Sequence, residues 1–434
     1  MAHEWTAATL GSVTDFLSGG TPSKDRAAFW GGSIPWVSAK DMKQFRLDDT
    51  EDHVTDEGVA NGTKLIPSGT VLLLARGMTL LNDLPICIAN RPMTFNQDVK
   101  ALRPKSHVRD DFLPYLLLGN KERLLSLVDL AGHGTGRLNS DELKALDILL
   151  PPEPEQRAIA HILGTLDDKI ELSRRMSKTL EAMARALFKS WFVDFDPVRA
   201  KAEGRDPGLP QPLADLFPDS FEDSELGEIP KRWQGGRFGD VVEQLRDQEN
   251  PLSSPDELFH HFSIPAFDEG QTPKAEYGRS IKSQKSRVPA GVVLLSKLNP
   301  EIERVWMVDV RPGERAVCST EFLVLLARPS FTRNYVYCLA HSPLFRQQIE
   351  GLVTGTSKSH QRAQVDSILS LAVVVPPPPI IATFDHSAHS LLARTLDCRR
   401  ESHTLAALRD GLLSKLVSGE LRVKDAERFA AQIA

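Results

Sequence analysis

Cysteine is scarce in this sequence, and the few cysteines are widely separated. Cys87, Cys318, Cys338 and Cys398 form neither a Cys-x-x-Cys pair nor a Cys-and-His set with metal-ligand spacing. This scatter argues against a disulfide framework and a zinc site, because both draw on recognisable cysteine spacings. We therefore predict four buried, reduced thiols.

Long hydrophobic runs are also lacking. No apolar segment approaches the ~18 residues that a membrane-spanning helix needs, and residues 1–13 lack a basic stretch followed by an apolar one. The sequence therefore predicts neither a membrane protein nor a secretory signal, and a cytoplasmic location is expected. With 41% hydrophobic and 25% charged residues, the 434-residue chain has a globular composition and a length that predicts two domains plus connecting structure.

An excess of positive charge is missing too, since the net charge is −6. Six acidic residues between Asp215 and Glu228, with no basic residue among them, equal this whole deficit. From Lys274 to Lys297, by contrast, six basic residues accompany the single acid Glu276. A local surplus of this kind suits contacts with phosphate. The net charge therefore does not exclude a nucleic-acid partner.

Motifs for nucleotide or methyl-donor chemistry are absent from the sequence. We find no Walker lysine loop, no Gly-x-Gly-x-x-Gly after a strand, no Asn/Asp-Pro-Pro-aromatic motif and no Gly-x-Ser-x-Gly elbow. The nearest match, Gly132-x-Gly134-x-Gly136-Arg137, is either a plain turn or a loop whose backbone amides grip phosphate. His386 and His389 have no third ligand nearby and are predicted to be solvated. Nothing here indicates a catalytic site.

What the sequence does contain is a long internal repeat. The pattern Arg-Arg-x-Ser-x-Thr-Leu-x-Ala begins at Arg174 and recurs at Arg399, 225 positions later. A looser match, with an offset of 222, relates residues 67–73 to residues 289–295. Repeats on this scale constrain the architecture more strongly than local motifs do. The predicted order is globular domain, long helix, globular domain, long helix.

Each predicted long helix carries a seam of apolar or small residues at spacings of three and four. In the first helix the seam comprises Ile162, Leu166, Ile170, Ser173, Ser177, Leu180, Ala184, Leu187 and Trp191. The positions 225 residues later form a more polar seam that Arg409 interrupts. Two such stripes can bury each other in a coiled coil about 55 Å long. The alternative is that each helix packs only on its own domain, but repetition of the polar Arg-Arg and Ser positions argues against it.

Both globular halves are predicted to mix helices and strands. Residues 65–76 and 288–298 are aliphatic runs bounded by turn residues, which favours strands. Residues 111–128 and 332–352 have patterns that favour helices. The sequence therefore predicts an α+β fold.

Several phrases in the sequence carry a specific family resemblance. They are S-G-G-T-P-S at 18–23, I-P-W-V at 34–37, P-P with E-Q-R within 151–157, F-K-S-W-F-V-D-F-D-P at 188–197 and G-E-I-P at 227–230. Together with the repeat, they make essentially the whole chain resemble the specificity subunits of type I restriction-modification systems. One departure is that Glu155-Gln156-Arg157 is replaced in the second half by Pro379-Ile380-Ile381-Ala382. The two long helices are therefore not expected to start identically.

The resemblance implies two target-recognition domains joined by two long helices that form an antiparallel coiled coil. We assign residues 1–150 and 233–375 to the domains, 151–200 and 376–434 to the helices, and 201–232 to an acidic linker. Each domain is expected to read one half of a split DNA site. The helices would then act as a ruler that sets the two readers one to two turns of duplex apart.

Catalysis is expected to reside in partner subunits. The resemblance implies two methyltransferase subunits that use S-adenosylmethionine, together with translocase-nuclease subunits that use ATP and magnesium. This chain itself is then non-catalytic and carries no cofactor or metal. The alternatives are a stand-alone DNA-modifying enzyme with an unrecognised active site, and a purely structural coiled-coil adaptor.

Basic, hydroxyl and amide side chains are the candidate DNA contacts, because such groups hold phosphates and read the edges of guanine and adenine. In the first half the candidates are Thr21, Ser23, Lys24, Lys40, Arg76, Arg137 and Asn139. In the second half they are Lys282, Lys285, Arg287, Lys297, Lys358, His360 and Arg362.

Overall fold

The computed structural model describes residues 5–131, 134–353 and 361–423. The chain divides into two compact units. Unit 1 comprises Met1–Ile170 with Thr404–Ala434, and unit 2 comprises Glu171–His403. Within the described residues, no helix combines the length and apolar character needed to cross a membrane.

Strands and short helices form the globular part of unit 1. The strands are β1 (Thr6–Thr9), β2 (Thr14–Ser18), β3 (Trp30–Val37), β4 (Arg46–Leu47), β5 (His53–Val54), β6 (Val71–Leu74), β7 (Arg76–Gly77), β8 (Ile86–Ala89), β9 (Thr94–Phe95), β10 (Val99–Pro104), β11 (Val128–Ala131), β12 (Thr135–Leu138) and β13 (Asp147–Leu150). The helices are α1 (Leu10–Val13), α2 (Asp56–Ala60), α3 (Leu113–Gly119), α4 (Lys121–Leu125), α5 (Ser140–Ala145) and the long α6 (Glu153–Phe192).

The main sheet of unit 1 has the strand order β2-β10-β6-β8-β4, with β4 and β8 parallel and the other pairs antiparallel. Every residue of β6 is buried, as its unbroken aliphatic sequence suggests. The core around it includes Leu113 and Leu116 of α3 and Ile159 and Leu163 of α6. Smaller sheets have the orders β11-β12-β7 and β5-β3-β9. The first of these carries two of the predicted site residues.

Unit 2 has a similar mixture of elements. Its strands are β14 (Phe221–Ser224), β15 (Gly227–Pro230), β16 (Gln234–Arg237), β17 (Val242–Leu245), β18 (Gln248–Glu249), β19 (Leu258–Phe262), β20 (Lys274–Tyr277), β21 (Lys285–Arg287), β22 (Val293–Ser296), β23 (Val305–Met307), β24 (Arg315–Cys318), β25 (Phe322–Ala327) and β26 (Ala372–Val375). Its helices are α7 (Asp196–Ala202), α8 (Gln211–Ala214), α9 (Phe238–Val241), α10 (Ile264–Asp268), α11 (Arg333–Ala340), α12 (Pro343–Gly351), α13 (Val365–Leu369) and the long α14 (Pro378–Ser418).

The internal repeat is visible in the strand pairing. In unit 1, β1 pairs antiparallel with β13, the strand that directly precedes α6 in the chain. In unit 2, β16 pairs antiparallel with β26, the strand that directly precedes α14. The order β2-β10-β6-β8 in unit 1 corresponds to β17-β25-β22-β23 in unit 2. The predicted strands are present as β6 and β22, and the predicted helical regions contain α3 and α11. The sequence repeat is thus a repeat of tertiary structure.

Both units contain a segment of each long helix, and the two helices run antiparallel. Ser173 lies near the start of the part of α6 that belongs to unit 2, and its Oγ donates to Glu401 Oε2, near the end of the unit 2 part of α14, at 3.2 Å. Further along α6, the Phe188 ring lies 5.5 Å from that of Phe384, near the start of α14. The alternative in which each helix packs only on its own domain is therefore wrong.

The predicted seam coincides with the buried face of both helices. In α6 the buried seam residues are Ile162, Leu166, Ile170, Ser173, Ser177, Ala184 and Trp191. In α14 they are Thr395, Cys398, Ser402, Leu412 and Leu416. Arg409, which interrupts the second seam, donates from Nη1 to Asp167 Oδ1 at 2.7 Å within unit 1. The polar interruption is therefore paired with a carboxylate.

The phrase at 188–197 forms an aromatic core in unit 2. The Phe192 ring lies 5.3 Å from that of Phe384, and the Phe195 ring lies 5.6 Å from that of Trp233. Such edge-to-face pairs add to the stabilisation from burial. The segment contains several aromatic residues close together in the sequence because their rings pack against one another in this core.

All four cysteines are buried and unpaired, as predicted. Burial raises the pKa of Cys87 to about 12 and is the main cause of a similar rise, to about 12, at Cys318. Thiols in such surroundings stay protonated and unreactive.

Candidate nucleic-acid interface

Two of the predicted contacts lie side by side in unit 1. Arg76 of β7 is directly opposite Arg137 of β12 in the antiparallel register, and both side chains are exposed. Residues directly opposite each other in a sheet point to the same face. Among the described residues, neither guanidinium has an ion-pair partner within 4.0 Å. The pair therefore presents two exposed guanidinium groups, and Asp129 of β11 lies opposite Arg137 on its other side.

Further basic residues surround this pair, and we call the set the basic cluster; its members are Lys64, Arg76, Lys100, Arg137 and Lys144. Burial lowers the pKa of Lys100, and the charges of the other four members lower it further. Like charges in such a group repel one another and favour the binding of an anion. The cluster is thus a concentration of positive charge, in which the register of β7 and β12 places Arg76 and Arg137 opposite each other.

A short segment beside the cluster explains the S-G-G-T-P-S phrase. The backbone N–H of Gly20 donates to Phe95 O at 2.9 Å, and Trp36 Nε1 donates to Gly20 O at 3.0 Å. A Cβ atom on Gly19 would lie 2.1 Å from Phe95 O, so only glycine fits against this backbone. Two phrases that carried the family resemblance therefore pack together, and residues 18–21 are held against residues 95–100.

Two side-chain hydrogen bonds complete this junction. Lys100 Nζ donates to Ser18 Oγ at 2.7 Å, and Thr21 Oγ1 donates to Gln97 Oε1 at 2.6 Å. The carbonyl of Asp98 accepts from the backbone N–H of Arg76 at 3.2 Å, which joins the segment to β7. Gln97 is exposed and was not among the predicted contacts.

The other predicted residues of the first half have varied surroundings. Lys40 bonds to Asp52 at 2.9 Å and to Glu51 at 3.0 Å, and these hydrogen bonds raise the pKa of Lys40. Asn139 Oδ1 accepts from the Asp141 N–H at 2.9 Å and so caps α5. Ser23 and Lys24 are exposed. Lys40 is thus neutralised locally, whereas Lys24 lies at the surface.

Two candidates of the second half are paired with carboxylates. Arg287 Nε lies 3.4 Å from Glu249 Oε2, and Arg362 Nη2 lies 2.8 Å from Glu321 Oε1. Lys285 Nζ donates to Ser283 Oγ at 2.7 Å. Lys282 is exposed and Lys297 is half-buried. Lys358 and His360 lie outside the described residues.

Arg362 nevertheless occupies the position that the repeat assigns to Arg137. It lies 225 residues after Arg137, and its backbone forms an antiparallel bridge with Leu298, which lies 222 residues after Arg76. The same pairing of backbone segments therefore recurs in both units. The charges of the two units differ at these positions. Leu298 stands where unit 1 has Arg76, and Arg362, the counterpart of Arg137, pairs with Glu321.

No group of His, Cys, Asp and Glu in the described part of the chain has a geometry that could hold a metal ion. His386 and His389 are both exposed on α14. In the glycine-rich stretch, Thr135–Leu138 is strand β12, and Gly132 lies outside the described residues. The arrangement that the structure does provide is a basic surface beside hydroxyl and amide groups, which suits binding of an anionic ligand.

Two α+β units built on paired antiparallel helices define the fold of type I restriction-modification S subunits. A crystal structure of such a subunit from M. genitalium superposes with a TM-score of 0.58 and 14% sequence identity, covering 95% of this chain and 96% of that chain. The family model for the type I restriction modification DNA specificity domain matches residues 2–182. The first part of the chain is thus similar to the specificity domain of type I systems, and the whole chain shares the fold of an S subunit.

Curated relatives extend the likeness along the chain. The type I restriction enzyme MjaIX specificity subunit of Methanocaldococcus jannaschii is 26% identical over 97% of this chain and 94% of its own length. The EcoR124I/EcoR124II specificity subunit of Escherichia coli is 34% identical over 38% of this chain and 41% of its own. The resemblance found in the sequence is therefore confirmed.

Proposed function

We propose that this chain reads a two-part DNA sequence and delivers partner enzymes to it. Residues 1–150 and 233–375 each read one half of the site, and residues 151–200 and 376–434 supply the helices that space the readers. The observation that carries this proposal is the duplicated unit built on a shared pair of antiparallel helices. A duplicated reader is suited to a site with two halves.

The basic cluster of unit 1 is the proposed site of phosphate contact. Its arginines and lysines supply the salt-dependent part of DNA affinity. The other predicted residues of both halves, including Lys282, Lys297 and Arg362, complete the two reading surfaces. Pairing of Arg287 and Arg362 with carboxylates favours directed contacts with bases in unit 2, because a paired guanidinium has a fixed orientation.

The proposed partners are two methyltransferase subunits that bind S-adenosylmethionine, and restriction subunits that use ATP and magnesium. The chain itself is proposed to be non-catalytic. The likeness to curated specificity subunits supports this division of labour, and so does the absence of a recognisable cofactor motif in the sequence. Docking on the long helices would place both methyltransferases in related positions, because the helices belong to the repeat.

The proposal is tested by assembling the full chain with the methyltransferase subunits of the same host and mapping the methylated adenines. We expect a recognition sequence in two parts. Exchange of residues 1–150 for those of another specificity subunit should change one part and leave the other intact. A change in both parts, or in neither, would contradict the assignment of one reader to each unit.

The non-catalytic role has its own test. The purified chain is incubated with duplex DNA, S-adenosylmethionine and Mg²⁺, without partners, and neither methyl transfer nor cleavage is expected. Activity of the chain alone would support the alternative of a stand-alone enzyme. Binding without any sequence preference would support the alternative of a structural adaptor.

A further inference from the structure

We infer that Gln97 is a base-reading residue of unit 1 and that Thr21 positions its amide. This inference rests on the proposed function and assigns a specificity role to a residue that the family resemblance did not indicate. The juxtaposition that carries it is the 2.6 Å hydrogen bond between the Thr21 hydroxyl and Gln97 Oε1, beside the basic cluster.

Gln97 lies where a base-reading side chain is needed. It is exposed, and the next residue, Asp98, bonds through its carbonyl to the backbone of Arg76 in the cluster. Lys100, three positions after Gln97, is a member of the basic cluster and bonds to Ser18. Phosphate contacts from these lysine and arginine side chains would bring the edges of the bases towards the amide, since phosphate contacts set register.

The hydrogen bond with Thr21 gives the amide a defined orientation. An exposed glutamine ordinarily samples many rotamers, and fixing it on binding costs conformational entropy. Thr21 follows Gly19, which is packed against the backbone of residues 95–96, and Gly20, which is packed against the backbone of Gly62, so the hydroxyl is itself held in place. The amide is therefore oriented before DNA arrives.

The chemistry of the oriented amide selects adenine. Oε1 accepts from Thr21 and keeps a second lone pair, while Nε2 keeps both of its protons. An amide in this state can accept from adenine N6 and donate to adenine N7 in the major groove. Guanine presents two acceptors at these positions and does not satisfy Oε1. Thr21 thus acts through Gln97, and we place its role in positioning instead of direct contact.

The test uses the full chain assembled with its methyltransferase subunits and a duplex library randomised over the site read by the wild-type complex. Q97A should relax the preference for adenine at one base pair of one half-site by on the order of tenfold, with the other half-site unchanged. Q97E should shift the preference at that base pair towards cytosine, because a carboxylate accepts from cytosine N4.

Thr21 variants separate positioning from folding. T21V removes the hydroxyl at nearly constant volume and should weaken discrimination at the same base pair, while T21S keeps the hydroxyl and should retain it. The matched control is Q211A, because Gln211 is an exposed glutamine of unit 2 that bonds to Asp215. This variant should leave every base preference unchanged.

The outcomes distinguish this inference from the proposed function. If the wild-type complex selects a two-part sequence and Q97A and Q97E select the same sequence with the same stringency, the role of Gln97 is refuted and the proposed function stands. If T21V and T21S behave alike while Q97A relaxes one position, the positioning role of Thr21 is refuted. A wild-type complex that selects no sequence refutes both proposals.

Discussion

The hydroxyl of Tyr115 donates a 2.8 Å hydrogen bond to Oδ2 of Asp167, a carboxylate that is only 5% exposed. Arg409 binds the other oxygen, Oδ1, at 2.7 Å. Tyr115 lies on α3, Asp167 on α6 and Arg409 on α14. One buried carboxylate therefore ties the globular part of unit 1 to both long helices.

Unit 2 contains a triad of the same chemistry. The Tyr337 hydroxyl donates to Glu181 Oε1 at 2.6 Å, and Arg399 bonds to the other oxygen of Glu181. Tyr337 lies 222 positions after Tyr115, as the repeat requires, but a strict repeat would place the carboxylate at position 392, which is a buried leucine. In both units the carboxylate comes from α6 and the arginine from α14.

The first prediction concerns the buried carboxylate of unit 1. Asp167→Ala leaves the Tyr115 hydroxyl without its acceptor and Arg409 with only the neighbouring Asp410. Loss of one member of a buried charged network costs about 3–5 kcal/mol of unfolding free energy. The matched control is Asp168→Ala, which removes a half-exposed ion pair with Arg46 and should cost about 1 kcal/mol or less. Urea unfolding measures both. Equal losses would show that the triad does not join the elements.

The second prediction concerns a residue that differs between the two halves of the repeat, near the start of each long helix. Gln156 is 1% exposed; its Oε1 accepts from the Arg109 N–H at 3.0 Å, and its Nε2 donates to the carbonyls of His107 and Pro151. The corresponding residue in the second half is Ile381, also 1% exposed. The same location therefore holds a hydrogen-bonded amide in unit 1 and an apolar side chain in unit 2.

Exchange of these residues should be harmful in both directions. Gln156→Ile leaves buried backbone groups unpaired, at about 1–3 kcal/mol for each such group. Ile381→Gln buries an amide among apolar side chains, at about 1–3 kcal/mol beyond the weaker packing. Ile381→Val, which shortens the side chain by one methyl group, is the control and should cost about 1 kcal/mol. Thermal unfolding of the three variants checks the prediction, and a neutral Gln156→Ile would contradict it.

The third prediction concerns the salt dependence of DNA binding. Arg76→Ala and Arg137→Ala should each weaken binding and reduce the slope of log K against log salt by about 0.9 for each phosphate that the variant no longer neutralises. Arg205→Ala is the control, because Arg205 is exposed in unit 2 and paired with Glu203. Fluorescence anisotropy across a salt series gives the slopes. Unchanged slopes in both test variants would remove the basic cluster from the interface.

The fourth prediction is a loss of stability in acid that depends on His341. Burial lowers the pKa of His341, whose Nδ1 lies 2.5 Å from Glu303 and whose Nε2 lies 4.0 Å from Glu181. Because the folded pKa is below the unfolded value of about 6.5, the unfolded chain binds more protons. The stabilisation is therefore complete above pH 6.5 and is lost as the pH falls through the folded pKa.

His341→Gln should flatten this dependence, since glutamine can keep one hydrogen bond to Glu303 without titrating. The measurement is the urea midpoint of wild type and variant between pH 8 and pH 5. His403→Gln, at an exposed position of α14, is the control and should follow the wild type. A variant curve parallel to the wild-type curve would exclude His341 as the titrating group.

Local features of the sequence predicted a large part of this fold. The seam of α6 was readable because its buried positions recur every three or four residues, and the repeat was readable because the same packing is specified twice. The scatter of the cysteines predicted that they are not in disulfides, and the usual burial of free cysteine predicted that they are buried. The phrase at 188–197 was recognisable because its aromatic rings fill one core.

The reading surface was less accessible from the sequence. The sequence predicts Arg76 and Arg137 as separate contacts, and only the pairing of β7 with β12 puts them opposite each other. It does not predict Gln97, because nothing in the neighbourhood of that residue marks it and its partner Thr21 lies 76 positions away. The charge of Lys40 predicts a contact, but Glu51 and Asp52 neutralise that charge in the folded chain.

The duplicated architecture, the long helices and the family resemblance can be read from residue order, because periodicity and repetition are properties of that order. The folded chain is needed to see which charges face each other, which amide is oriented and which carboxylate joins three elements. Those properties depend on distances of a few ångströms between residues far apart in the chain, and electrostatic and hydrogen-bond energies change steeply over such distances.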